Sequence, residues 1–470
     1  MNVPAAARAA IAALALLANG PADAAEGLRP DRQAFRALYR ELVETDTTLS
    51  HGNCTLAASR MAVRLKAAGL PEAQVAPFSV PDHPQEGGLL AVIPGRDPKL
   101  KAVLLLAHLD VVEARREDWV RDPFTLVEEG GYFYARGTLD DKAMAAVWTD
   151  TMARLAAAPK PRRTVKLALT CGEETDGAFN GAQWLASNRR EQIDAAFALN
   201  EGGGGLSDGH GKLQALSVQV GEKAYVDFAL VSTNRGGHSS QPVRDNAIYA
   251  MGDALARLRD LEFPLEFNET TRAFFETAGR IKGGAIGSAM IALAANPADK
   301  AAEAAVNGDK LYHSLLRTTC VPTMISGGHA KNALPQRVTV NVNCRMFPGR
   351  TIAETQARLA EAIADPAIAI RPARLDKPVA GVPPMDPAVL GPMRRLAERH
   401  FPGVPVVPTM STGATDGVYM SAAEIPTYGV PGLWTDPDGN GMHGLNERIA
   451  VRALMEGRDY LFDLVHAYID

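Results

Sequence analysis

The apolar run at 103–112 is short, is bounded by Lys101 and Glu113, and is interrupted only by His108 and Asp110. A run of this length predicts a strand buried on both faces. Apolar runs at 89–93, 164–170 and 195–199 predict three more strands, set between segments of helical periodicity at 31–70 and 143–158. Strands alternating with helices predict an α/β fold, with a mostly parallel sheet covered by helices.

The pattern changes near Glu222. Segments 225–232 and 338–344 alternate apolar and polar positions, as half-exposed strands do. Helix-like segments follow at 246–261 and 270–279, then an Ala-rich stretch at about 285–306 and an amphipathic helix at 351–364. This predicts an inserted α+β domain over 222–376, with a helical elaboration at about 262–320. From Lys377 the α/β character returns: a helix at 387–400, short strands near Val404 and Ile425, and a last helix from Asn446. The main domain is therefore expected over 26–221 plus 377–470.

Composition narrows the class. Of 470 residues 46% are hydrophobic and 22% charged, ordinary for a globular protein, and the net charge of −5 gives no polybasic footprint, so nucleic acid is not an expected partner. Residues 1–25 read as a signal peptide: Arg8, an apolar stretch at 11–18, and Ala22-Asp23-Ala24 as a small-residue cleavage site. That stretch is too short to span a bilayer, which takes about 20 apolar residues. The expectation is a secreted or periplasmic protein with no stable membrane anchor. Cys54, Cys171, Cys320 and Cys344 show no C-x-x-C spacing, which excludes a zinc ribbon and leaves both disulfides and buried thiols open.

Several polar residues sit where strands end. His108 and Asp110, two apart, share one strand face. A metal on His108, with Asp110 orienting the ring, is one way to satisfy both. Asp140-Asp141 follow a turn, Glu173-Glu174 follow the strand at 164–170, Glu201 follows the strand at 195–199, and His443 lies in a Gly-rich loop at 438–444. Singly, each has a structural explanation: Asp140 as a helix cap, Glu173-Glu174 as a solvated turn, His443 as a surface histidine. Together, carboxylates converging on one sheet edge would repel, and divalent cations resolve that conflict.

The order of motifs resembles the two-zinc metallopeptidase and deacylase family of aminoacylase, acetylornithine deacetylase, succinyl-diaminopimelate desuccinylase and glutamate carboxypeptidase. The matching pieces are A-H-L-D-V-V (107–112), R-G-T-L-D-D-K (136–142), G-E-E-T (172–175), N-E-G-G (200–203), G-G-H-S-S-Q-P (236–242), G-G-H-A-K-N-A-L-P (327–335), N-C-R-M-F-P-G (343–349), S-T-G-A-T-D (411–416) and M-H-G-L-N-E-R-I (442–449). The last motif and the enlarged middle domain resemble the carboxypeptidase S and N-fatty-acyl amino acid hydrolase branch.

The resemblance implies two Zn²⁺ ions per subunit, with Co²⁺ or Mn²⁺ as substitutes that ligand type does not separate. His108, Asp140 and Glu201 would hold one and Asp140, Glu174 and His443 the other, with Asp140 bridging. It further implies Glu173 as general base toward a metal-bridging water, Asp110 as the group orienting His108, and a cis bond between Asp140 and Asp141. His238 would stabilise the oxyanion, from the partner subunit in dimeric relatives, so a homodimer through the inserted lid domain is implied. Asn332 and Arg345 would hold a substrate carboxylate, and a loop with Gly413, Thr415 and Asp416 would line the pocket. The expected activity is hydrolysis of small peptides with a free C-terminal carboxylate, with N-acyl amino acid deacylation as the alternative. A non-catalytic exported binding protein would have no need of Glu173.

Overall fold

The computed structural model describes residues 29–175, 178–374 and 377–470. The leader expected at 1–25 lies outside the described residues. A nine-stranded sheet forms the centre of the larger part. Its order is Val75–Val80, His83–Ile93, Val165–Thr170, Val103–His108, Phe197–Asn200, Thr427–Gly429, Leu213–Glu222 and Val406–Ser411, with Gly204–Ser207 paired to Leu213–Glu222. The four strands from Val165–Thr170 to Thr427–Gly429 run parallel, and antiparallel strands extend the sheet beyond them.

The strand Val103–His108 is buried along its whole length. Its side chains alternate between two cores. Val103, Leu105 and Ala107 pack with the helices Pro30–Val43, Cys54–Ala67, Lys142–Ala156 and Val451–Ile469, and Leu104 and Leu106 pack on the other face with Gly181–Asn188 and Gly417–Ala422. Helices on both faces explain why this strand reads as a continuous apolar run.

Lys223 alone separates Leu213–Glu222 from Ala224–Thr233, the strand that enters a second sheet. That sheet is antiparallel, in the order Thr319–Gly327, Arg337–Met346, Ala224–Thr233 and Ala369–Arg374. Strict burial alternation in its two middle strands matches the expected period of two. The helices Ala247–Arg259 and Ile352–Ile363 cover its inner face. Thr351 and Glu354 form a capping box at the start of the second helix. The Ala-rich stretch forms two helices, Gly284–Ala295 and Lys300–Asn307, which share a core with Glu269–Lys282, Phe347 and Met410.

Several expectations are corrected. The last helix starts at Val451, not Asn446, because Arg448–Ala450 pairs as a strand with Tyr132–Tyr134. The edge strand Thr319–Gly327 starts in the last two residues of the stretch expected to be helical; it carries Pro322 and is largely exposed, so it lacks the apolar alternation of a paired strand. All four cysteines are oxidised, as Cys54–Cys171 and Cys320–Cys344. Among the described residues no helix is long and apolar enough to cross a membrane.

Candidate metal centre

The parallel strands deliver three of the site's segments to one edge of the sheet. Val103–His108 ends in His108, Val165–Thr170 runs on into Glu173-Glu174, and Phe197–Asn200 is followed by Glu201. This is the carboxyl edge, where ligands gather in such sheets. Two loops complete the cluster: Asp140 arrives just before the helix Lys142–Ala156, and His443 just after the short turn at Gly439–Gly441. The bond between Asp140 and Asp141 is cis.

The distances define two sets joined at one residue. His108 Nε2 lies 3.2 Å from Asp140 Oδ1 and 3.7 Å from Glu201 Oε2. His443 Nε2 lies 3.0 Å from Asp140 Oδ2 and 3.0 Å from Glu174 Oε1. Asp140 thus faces one histidine with each of its oxygens. Ligand atoms of His108, Asp140 and Glu174 lie within 4.8 Å of one another, as do those of His108, Glu173 and Glu201. Cys54, Asp110 and Cys171 also meet this spacing, but their sulfurs are bonded to each other and are lost as ligands.

The donor chemistry fits a pair of divalent cations. Imidazoles and carboxylates are borderline-to-hard ligands suited to zinc-like ions. Glu201 Oε1 and Asp110 Oδ1 are buried without a hydrogen-bond partner. Burial opposes charge on His108, but Glu201 and Asp140 outweigh it and hold the imidazole well above its usual range. Asp140 and Glu174 raise His443 to about 10. Burial pushes the Glu173 carboxyl well up, and the nearby Glu201 adds to it. Carboxyls such as Glu173 and Glu201, pushed up by burial and by neighbouring carboxylates, are what a cation relieves.

Asp110 meets His108 through its main chain: His108 Nδ1 is 3.0 Å from the Asp110 carbonyl oxygen and 3.7 Å from the carboxylate. The carboxylate accepts the Glu174 N–H instead. Asp416 is buried beneath the site and accepts from Thr170 Oγ1 and Asn180 Nδ2, both at 2.7 Å. Thr415 donates its N–H and its hydroxyl to Glu222 Oε2, and the Gly413 N–H donates to Ser411 Oγ.

A cavity of about 390 Å³ opens onto Asp140, Glu173, Glu201 and His443. Its wall combines Leu139, Met144, Ala414, Leu433 and Met442 with Asp141, Ser217, Thr435 and the glycines at 202–205. The glycines are needed there, because a Cβ at Gly203 would fall 2.3 Å from the Val430 carbonyl oxygen.

His238, Asn332 and Arg345 stand apart from this cavity wall. His238 is exposed on the two-residue ladder Gly237–His238 with Ala333–Leu334, where its Nδ1 pairs with Ser240. The main chain of the exposed Asn332 accepts from the Ser239 N–H. Arg345, on the strand Arg337–Met346, lies with its guanidinium 4.5 Å from the centre of the Tyr225 ring. Sequence reasoning missed the roles of Arg136, Glu222 and Glu447, which hold the loops around the site, although Arg136 and Glu447 fall within two of the quoted motifs.

The sequence profile of peptidase family M20/M25/M40 matches residues 104–467. Human N-fatty-acyl-amino acid synthase/hydrolase PM20D1 is 28% identical over 391 residues, covering 81% of this chain and 77% of that one. A probable carboxypeptidase S-like 2 of Dictyostelium discoideum is 26% identical over 388 residues, covering 79% and 72%. Among solved structures, an M20 family metallo-carboxypeptidase from Sulfolobus solfataricus superposes with a TM-score of 0.69 at 18% identity, covering 93% of this chain and 99% of that one.

Proposed function

The chain belongs to peptidase family M20/M25/M40, a hydrolase family, and on that premise we propose that it is an exported two-zinc metallopeptidase cleaving small peptides with a free C-terminal carboxylate. The observation that carries this reading is the sharing of Asp140 between His108 and His443, with Glu173 on the same cavity. His108, Asp140 and Glu201 would hold one zinc ion, and Asp140, Glu174 and His443 the other. When bound, such a pair supplies a polarised carbonyl and an acidified water.

The chain's own residues do the rest. Glu173 takes the proton of the attacking water and hands it to the leaving nitrogen. His238 donates to the developing oxyanion when the lid closes. Arg345 offers a planar guanidinium to the substrate carboxylate, with Asn332 beside it in that role. Gly413 and Thr415 border the substrate. A homodimer through the lid would supply His238 from a second copy. It is supported by the exposed edge strand Thr319–Gly327, where Val321, Met324 and Ile325 are 58%, 73% and 64% exposed. Export is supported by the leader-like residues 1–25 and by two disulfides, which persist in oxidising compartments.

The second reading, N-acyl amino acid hydrolysis, is favoured by the apolar cavity wall at Leu139, Met144, Leu433 and Met442. One experiment separates them. The purified protein, reconstituted with Zn²⁺, Co²⁺ or Mn²⁺, is given dipeptides, their C-terminal amides, and N-acyl amino acids of increasing chain length. The peptidase reading expects the free dipeptides to have the highest kcat/KM and the amides to fail. A kcat/KM that climbs with acyl length past every dipeptide would replace it with the deacylase.

A further inference from the structure

Arg136 and Glu447 are 2% and 0% exposed and form a salt bridge of 2.7 Å across 311 residues of sequence. A buried carboxylate is costly unless its oxygens are all engaged. Those of Glu447 are engaged with the segment that leads to Asp140. Oε2 accepts from Arg136 Nη1 and from the Gly137 N–H at 2.9 Å. Oε1 accepts from the N–H groups of Leu139 at 2.8 Å and of Asp140 itself at 3.1 Å. The Glu447 carbonyl oxygen accepts in turn from the Ala135 N–H.

Arg136 reaches the other loop. Its Nη2 donates to the Gly444 carbonyl oxygen at 2.7 Å, one residue past His443. Its guanidinium also lies 5.0 Å from the Trp119 ring centre, which fixes its plane. The His443 loop needs such a hold, since His443 and Asn446 both have left-handed backbones, with φ of 56° and 55°. Asp436, Asp438, Asn440, Gly441 and Glu447 also have the spacing of a calcium loop. Their side chains are otherwise committed: Asp438 to Arg448, Asp436 to Ser207 and Tyr132, Glu447 to Arg136.

We propose that Arg136 and Glu447 form a positioning clamp that sets Asp140 and His443 against each other and so governs occupancy of the metal position these two residues share with Glu174. The other position shares Asp140 but keeps His108 and Glu201, which the clamp does not touch, and so should feel the clamp less. The pair would act through the two ligands, not on substrate. This rests on the two-metal reading above, and the test keeps the two claims apart.

Metal-free wild-type, Glu447→Gln and Arg136→Lys proteins are titrated with Zn²⁺ by calorimetry, and their thermal melts are recorded. Failure of the wild type to bind two equivalents would sink the two-metal reading and this inference with it. With two wild-type equivalents, the clamp predicts that each variant keeps one equivalent within about threefold and loses about tenfold or more at the other, as outer groups around metal ligands do. Lowered melting temperatures with both equivalents unchanged, or both weakened alike, would overturn the clamp and leave the two-metal reading standing. If Glu447→Gln does not fold, Arg136→Lys, which keeps the charge but not the two-pronged reach, decides by the same criterion.

Discussion

The Asp110 carboxylate accepts the main-chain N–H of Glu174 at 2.9 Å, while the carbonyl oxygen of the same residue lies 3.0 Å from His108 Nδ1. One buried residue therefore fixes the imidazole at the end of one strand and the carboxylate loop at the end of the next. Asp110→Ala keeps the carbonyl but strands the Glu174 N–H. The expected cost is about 1–3 kcal/mol of stability and a roughly 10- to 100-fold loss of zinc affinity. Urea unfolding and zinc titration measure both, and wild-type affinity in this variant would remove Asp110 from the site.

Glu173→Gln preserves size and removes the proposed base. Zinc stoichiometry should stay as in the wild type while kcat falls by about 10²- to 10⁴-fold. An unchanged kcat would show that the proton travels by another group.

The disulfide Cys54–Cys171 ties the first turn of the helix Cys54–Ala67 to the residue two before Glu173. The paired substitution Cys54→Ser with Cys171→Ser should cost about 2–5 kcal/mol and lower kcat, because the loop bearing Glu173 loses its tether. Cys320–Cys344 instead joins two lid strands next to Arg345. Its removal should raise KM with less effect on kcat. Thermal melts and kinetics of the two serine pairs compare them directly.

Glu222 is half-buried at the passage between the two sheets with its carboxylate end enclosed, and that burial pushes its carboxyl from 4.5 to about 8, against the pull of the Thr415 hydrogen bonds. The folded chain then holds a proton that the unfolded chain releases. That contribution is complete below the unfolded pKa and is lost as pH rises through the folded one. Stability of the wild type relative to Glu222→Gln should therefore fall steadily between about pH 5 and pH 8. Denaturant unfolding across that range checks the slope, and a flat difference would mean Glu222 is ionised when folded.

Much of this was legible from period alone. The run at 103–112 is continuous because both faces of its strand are covered, and only His108 and Asp110 break it, at the edge where chemistry sits. The lid strands showed through their strict alternation. Arg136 and Glu447 were not legible: a charge in a loop reads as solvated, and the partner that buries it can lie 311 residues away. The edge strand Thr319–Gly327 escaped for the opposite reason, since so little of it is covered that no face stands out. Arg448–Ala450 is too short for periodicity to mark, and only its pairing with Tyr132–Tyr134 makes it a strand.

The most direct test of the account is zinc titration of the chelator-stripped protein, followed at each addition by hydrolysis of a dipeptide or N-acyl amino acid. The account predicts about two equivalents per chain, activity that returns as they bind, and loss of one equivalent in His443→Ala. A wild-type protein that binds no zinc, or hydrolyses its substrates equally well when stripped, would contradict it.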